Sequence, residues 1–219
     1  MLRSHSALRG LLLATALFLS ANANAATVTF NNVANSINRG GVYSGFYTLT
    51  IDSAMLLAMC DSRFAQVNPP VTWAADLWTY ADIQAGAVGK YNSPSTPATL
   101  TKYSQAGWLF SQIGTLLPTD YSGQADIQEA IWRIMEPTYA LVGAGATPWY
   151  TAATSGAYDS FDWTSVMRVV TPNPLVQSSV NVQEFLIGPG QTVVPIPAAA
   201  WLLVSGLGGL GVLRRLRMR

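Results

Sequence analysis

The sequence predicts an α+β domain, an antiparallel β-sheet or sandwich with an inserted helical block, followed by a C-terminal transmembrane helix. Three observations predict it. The first third alternates β-formers in short runs, the middle third switches to apolar spacings of three and four, and the last third returns to β-formers before an apolar run closed by arginines.

Thr27 to Phe30 alternates β-formers. Gly41 to Asp52 (GVYSGFYTLTID) places Val42, Phe46 or Tyr47, Leu49 and Ile51 in largely alternating order, and Met55 to Cys60 is a short apolar run that its cysteine closes. These read as successive antiparallel strands. After Pro69-Pro70 the period changes, and Trp73 to Ala85 reads as helical. Lys90 to Ala98 (KYNSPSTPA) is a Ser/Pro/Thr loop. Thr101 to Gly114 carries Tyr103, Ala106, Gly107, Phe110 and Ile113 at helical spacing. Asp126 to Glu136 puts Ile127, Ala130, Ile131 and Ile134 on one face, with Pro137 as its stop; Asp126 and Glu129 have capping-box spacing, and Ser122 offers an earlier start. Ser165 to Thr171 and Val180 to Ile187 read as strands on either side of the Pro172-Asn173-Pro174 turn.

The two ends of the chain read as addresses rather than as fold. Residues 1–25 place Arg3 and Arg9 before the apolar run Leu11 to Ser20, then end in Ala21-Asn22-Ala23-Asn24-Ala25, the pattern of a secretory signal peptide cleaved after Ala25, with Ala23 the alternative site. At the other end an uncharged run from Ala198 to Leu213 precedes Arg214, Arg215, Arg217 and Arg219. That order suits a helix entering a bilayer and stopping with its charges on the cytoplasmic side. A buried core helix is the competing reading, but it fits poorly with four glycines between Gly206 and Gly211, each costing a soluble helix about 1 kcal/mol relative to alanine.

The tail VPIPAAAWLLVSGLGGLGVLRRLRMR resembles the PEP-CTERM sorting signal of Gram-negative bacteria, carried by Val194, Pro195 and Pro197, the Ala-Ala-x-Trp-Leu and Ser-Gly-Leu segments, and Arg214 and Arg215. Ile196 stands where the motif's glutamate is usual. The resemblance, over residues 193–219, implies export, recognition by an exosortase in the inner membrane, transient anchoring there, and removal of the tail. The destination it implies is the cell surface or extracellular matrix.

Charge then looks different in the remaining domain, residues 26–190. Of the 12 Lys and Arg, Arg3 and Arg9 lie in the leader and four arginines in the tail, leaving six against all 11 Asp and Glu. The domain is acidic, which argues against nucleic acid as a partner. The one histidine, His5, lies in the leader. The domain therefore has no Ser-His or Cys-His pair and no histidine metal ligand. No metal or other cofactor, and no catalytic residue, is expected.

Cys60 is the one cysteine of the chain. In an exported protein a lone cysteine is either a small buried apolar residue or a reactive group. Gln128 sits in Asp-Ile-Gln-Glu-Ala-Ile-Trp, with Trp132 four residues on, which sets it at the border of a buried helix face. A cysteine ending a strand, followed after a helical block by Gln-x-Ala-Ile-Trp, resembles the thioester domains of bacterial surface adhesins. Cys60-Asp61, Gln128-Glu129-Ala130-Ile131-Trp132 and the helix Tyr103 to Gln112 carry the match, which covers Gly41 to Glu136. With Gly45 to Ile51 and Gln183 to Leu186, they also resemble a recurrent class of PEP-CTERM proteins. Asp61 follows the cysteine directly, where the adhesins usually place an apolar residue between.

The resemblance implies an internal thioester between the Cys60 sulfur and the Gln128 carbonyl, and an amine-bearing surface ligand as its target. On that reading the glutamine stands in the first turn of its helix, beside free backbone N–H groups, and Trp108 and Trp132 exclude water. Asp61 is either a hydrogen-bond acceptor or base near the sulfur, or a strand-end carboxylate capping a turn. The expected function is a non-enzymatic, exosortase-sorted surface or matrix protein that attaches covalently through Cys60 and Gln128. The alternative is a structural or binding matrix protein with Cys60 reduced and buried.

Overall fold

The structure, a computed structural model, describes residues 25–64, 67–91, 96–173 and 182–188. The expected signal peptide, sorting motif and transmembrane run 198–213 lie outside the described residues, apart from Ala25. No described helix is long and apolar enough to cross a membrane.

The strands are β1 (Ala25–Arg39), β2 (Val42–Ile51), β3 (Ala54–Cys60), β4 (Val71–Trp78), β5 (Arg168–Pro172) and β6 (Phe185–Ile187). They form a closed barrel in the order β1-β2-β3-β6-β5-β4, and every neighbouring pair is antiparallel. Closure leaves no unpaired edge, so a sheet of modest strands needs no cover at its sides. Between β4 and β5 the chain runs through α1 (Tyr80–Gln84), α2 (Pro97–Gln112), a single 3₁₀ turn (Ile113–Thr115), α3 (Tyr121–Met135) and α4 (Ala146–Ala153). The α+β class and the inserted helical block are as the sequence predicts. The sheet is a barrel rather than an open sheet or a sandwich.

The two-residue period of the strands sorts their side chains between two cores. Ala58 and Cys60 of β3, Phe185 and Ile187 of β6, and Val170 of β5 fill the barrel with Val28, Phe30, Leu49 and Ile51. Their neighbours Met59, Leu186 and Val169 turn outward and pack with Tyr103, Ala106 and Leu109 of α2 and Ile127 and Ile131 of α3. Inside the barrel Phe185 lies between Phe30, Tyr47 and Trp73, with ring centroids 6.0, 6.0 and 6.1 Å away. Trp132 of α3 belongs to the barrel core rather than to the layer its helix faces.

Several boundaries differ from expectation for local reasons. Trp73 to Ala85 is not one helix, because β4 runs to Trp78 and buries Ala75 and Leu77 at period two. Thr79 then opens α1 with a capping box to Asp82. The helix expected to begin at Asp126 starts a turn and a half earlier, capped by the Asp120 side chain on the Gly123 N–H at 2.8 Å. Asp126 and Glu129 therefore do not form a capping box; both turn to Arg39 instead. Pro97 occupies the first turn of α2 behind a Thr96–Thr99 capping box, so the loop expected through Ala98 ends sooner. The last strand is shorter than Val180 to Ile187: the described residues before Phe185 are not strand.

Candidate functional site

Two elements that are far apart in sequence bring Cys60 and Gln128 together. Cys60, the last residue of β3, points into the barrel beside Ala58. Gln128 and Trp132 share one face of α3, which packs on β2 and β1. Arg39, the last residue of β1, holds the helix in register by pairing with Asp126, with Glu129 at 3.2 Å and with the Ser122 hydroxyl at 3.1 Å. Glu129 in turn accepts the backbone N–H groups of Val142 and Gly143, each at 2.8 Å. The result is that Gln128 is fully buried, with no exposed surface, rather than at the border of the helix face.

The carboxamide is held at every polar atom. Its Nε2 lies 2.8 Å from the Cys60 Sγ and donates to the Cys60 carbonyl at 3.2 Å, while its Oε1 accepts the Gly45 N–H at 2.5 Å. The opposite amide orientation would set oxygen against oxygen and N–H against N–H, so the network admits one assignment. The Trp132 indole N–H reaches the same two Cys60 atoms, 3.1 Å from the carbonyl oxygen and 3.3 Å from Sγ. An amide C–N bond is about 1.33 Å, so the Gln128 carboxamide carbon lies within about 4.1 Å of the sulfur. That upper limit is a little beyond the roughly 3–3.5 Å of a near-attack contact.

The donor to the carbonyl is not where sequence reasoning put it. Gln128 is in the third turn of α3, where helix N–H groups are already paired, so the helix terminus supplies nothing to it. Gly45 of β2 takes that role. Between the pairs Val33↔Tyr47 and Ser36↔Gly45, β1 carries one residue more than β2, and this bulge disrupts the β1–β2 ladder next to Gly45. Gly45 has φ +127, and the backbone of β1 crosses so near that a Cβ there would stand 2.3 Å from the Asn35 carbonyl oxygen. Glycine is required on both counts. A glycine interrupting a strand pattern was the one signal in the sequence that could have found it.

Burial pushes the Cys60 thiol up to about 12, Asp61 and Glu136 add to the rise, and hydrogen bonds to Tyr47 and Trp132 counter only part of it. At neutral pH the group is a thiol, inert toward general oxidation and alkylation. Its S–H faces the Tyr47 hydroxyl at 3.7 Å. A half-open cavity of about 210 Å³ reaches both Cys60 and Tyr47, lined also by Phe30, Val42, Tyr43 and Gln183.

The other residues singled out in the sequence lie elsewhere. Trp108 is stacked on Tyr158 at 4.0 Å and sits near Trp149, in the helical layer and not at the sulfur. Trp132, by contrast, lies against Cys60. Asp61 follows Cys60 on the opposite face of the pleat, one step past the Cys60↔Phe185 pair and so beside Glu184. Its side chain is fully buried and neither oxygen meets a donor, so it does not cap a turn. Burial and the adjacent Glu184 raise its pKa well above the usual carboxylate range. Glu184, by contrast, accepts from the hydroxyls of Tyr103 at 2.6 Å and Thr171, and from the Lys90 N–H at 2.8 Å. Asp61 has no such donors, and its raised pKa leaves it to carry a proton.

Among the described residues there is no cluster of three or more side chains suited to hold a metal ion. No protein-family model matches the chain, and neither a curated protein nor a solved structure is significantly similar to it. The chemistry of the site follows from its atoms. They place a thiol beside a carboxamide carbon, a backbone donor on the carbonyl oxygen, and an indole N–H on the sulfur.

Proposed function

We propose that this chain is an exported surface or matrix protein whose barrel forms an internal thioester between Cys60 and Gln128, for covalent attachment to an amine-bearing surface. The observation that carries the proposal is the carboxamide of Gln128, clamped with its nitrogen 2.8 Å from the sulfur and its oxygen on the Gly45 N–H. Gln128 has no exposed surface and uses all its polar atoms on Cys60 and Gly45.

In the reaction Sγ adds to the Gln128 carbon, the C–N bond breaks, and ammonia leaves with the thiol proton. The Gly45 N–H stabilises the oxyanion as it develops, and burial of Cys60 and Gln128 limits the water that reaches the product. An amine reverses the attack: it takes the acyl group as an amide and returns a free thiol. The bond would be spent once, which suits attachment rather than turnover. Export and exosortase sorting belong to the same proposal and rest on the two ends of the sequence, with the exosortase and the inner membrane as the partners met on the way.

Intact-mass measurement of the purified protein tests the bond. The expected mass is one ammonia below that of the chain, restored to the full value in Cys60→Ala. A full-mass wild type would overturn the thioester and leave a non-catalytic structural or binding protein with Cys60 reduced in its core. Alkylation of the native protein does not discriminate, because a buried thiol with a pKa of about 12 is silent either way.

A further inference from the structure

Both directions of this acyl chemistry require a proton to cross between sulfur and nitrogen, and the hydrogen-bond partners of the Cys60 sulfur among the described residues, Tyr47, Gln128 and Trp132, are uncharged side chains. Asp61, the nearest acid in sequence, belongs to the other face of the pleat. Among the described residues the hydroxyl that meets the sulfur is that of Tyr47, at 3.7 Å. Its ring is held edge-on to Phe185 and tilted on Phe30, and its O–H donates to the Tyr43 carbonyl. The Gln128 Nε2 lies 2.8 Å from the same sulfur. The sulfur thus stands between the phenol and the amide nitrogen, and both Tyr47 and Cys60 line the cavity.

We propose that Tyr47 is a catalytic residue of the Cys60–Gln128 site, passing the proton between sulfur and nitrogen, and that the cavity it lines is where the incoming amine stands. The inference rests on the thioester reading. In bond formation the Tyr47 oxygen accepts the Sγ proton while its own proton turns from the Tyr43 carbonyl to the departing Gln128 nitrogen. The Cδ–Sγ bond forms, Cδ–Nε2 breaks, and ammonia is released. In aminolysis the nucleophile's nitrogen bonds to Cδ and gives one proton to Tyr47, Cδ–Sγ breaks, and the Tyr47 proton passes to Sγ. The phenol ends each cycle as it began, so no oxidant, reductant or further reactant is consumed. Once Cδ is joined to Sγ, the acyl carbon is one bond from an atom the cavity already touches. Tyr47 itself is held neutral by burial, so its proton is available throughout the neutral range.

Tyr47→Phe in the full chain is the test, because it keeps the ring and its packing and deletes the hydroxyl. Two readouts follow: the fraction of chains lacking ammonia by intact mass at fixed times after synthesis, and the rate at which methylamine adds to those that lack it. The expected result is a folded variant in which one or both steps slow by on the order of 100-fold, the scale of a lost general acid–base. A wild type with the ammonia loss and a Tyr47→Phe variant that matches it in both rates would overturn the role of Tyr47 alone. A full-mass wild type would overturn the thioester and this inference together. Should Tyr47→Phe fail to fold, methylaminolysis of the wild type in D₂O replaces it. Slowing in D₂O is expected for a relay, and equal rates would refute it.

Discussion

Replacing Gly45 with alanine probes the site without touching either reacting side chain. A Cβ built at Gly45 stands 2.3 Å from the Asn35 carbonyl oxygen and 2.8 Å from the Ser36 Cα, at a φ of +127. Both obstacles are backbone of β1, so neither can rotate away, and β2 has to part from β1 at the bulge. Strained backbone of this kind costs about 1–3 kcal/mol, and loosening the Gly45 N–H from Gln128 adds about 1 kcal/mol. The expected fall in unfolding free energy is therefore about 2–4 kcal/mol, read from urea denaturation of wild type and variant. The effect on chemistry is separable from the effect on stability. Loss of a single oxyanion donor costs about 100- to 1,000-fold in rate, so the folded variant should accumulate the ammonia-depleted species that much more slowly by intact mass. A folded Gly45→Ala that forms the bond at the wild-type rate would show that the Gly45 N–H is a structural hydrogen bond and nothing more.

Two further substitutions test the frame around the site. Because burial and Glu184 hold the Asp61 pKa above the usual aspartate value of about 4, the folded protein binds that proton more tightly than the unfolded chain does. Stability from this group is complete below about pH 4 and is lost as pH rises through the folded pKa. Asp61→Asn should remove that loss, so urea midpoints of wild type and variant should diverge as pH rises, in favour of the variant; parallel curves would mean that Asp61 is not the protonated partner. Glu129→Gln should weaken the clamp that Arg39, Val142 and Gly143 make on α3, lowering stability by about 1.5–3 kcal/mol by chemical denaturation. An unchanged midpoint would show that Asp126 alone anchors Arg39.

The legible part of this protein was local. Cys60 as the end of β3, the apolar faces of α2 and α3, and the strand–helix–strand order all come from periodicities of two and 3.6 that a few consecutive residues display. Gln128 and Trp132 four apart on one helix were likewise readable, because the helix sets that geometry whatever surrounds it. Where local signals competed, the reading failed: Trp73 to Trp78 carries enough apolar residues to suit a helix, and pairing with β1 and β5 made it a strand. Trp108 and Trp132 look equivalent as water-excluding rings, yet only Trp132 reaches the sulfur.

By itself the sequence determined the class of the domain, the acidic and histidine-free character of its chemistry, and the two residues worth watching. Only the tertiary structure decided what those residues meet. The distance from Cys60 to Gln128 depends on how a barrel closes across residues separated by 68 positions, and no periodicity encodes that. The donor from Gly45, the hydroxyl of Tyr47 and the banishment of Asp61 to the other side of the sheet follow from a bulge and a pleat. Each is a small shift in register, and side chains change faces with every residue of register.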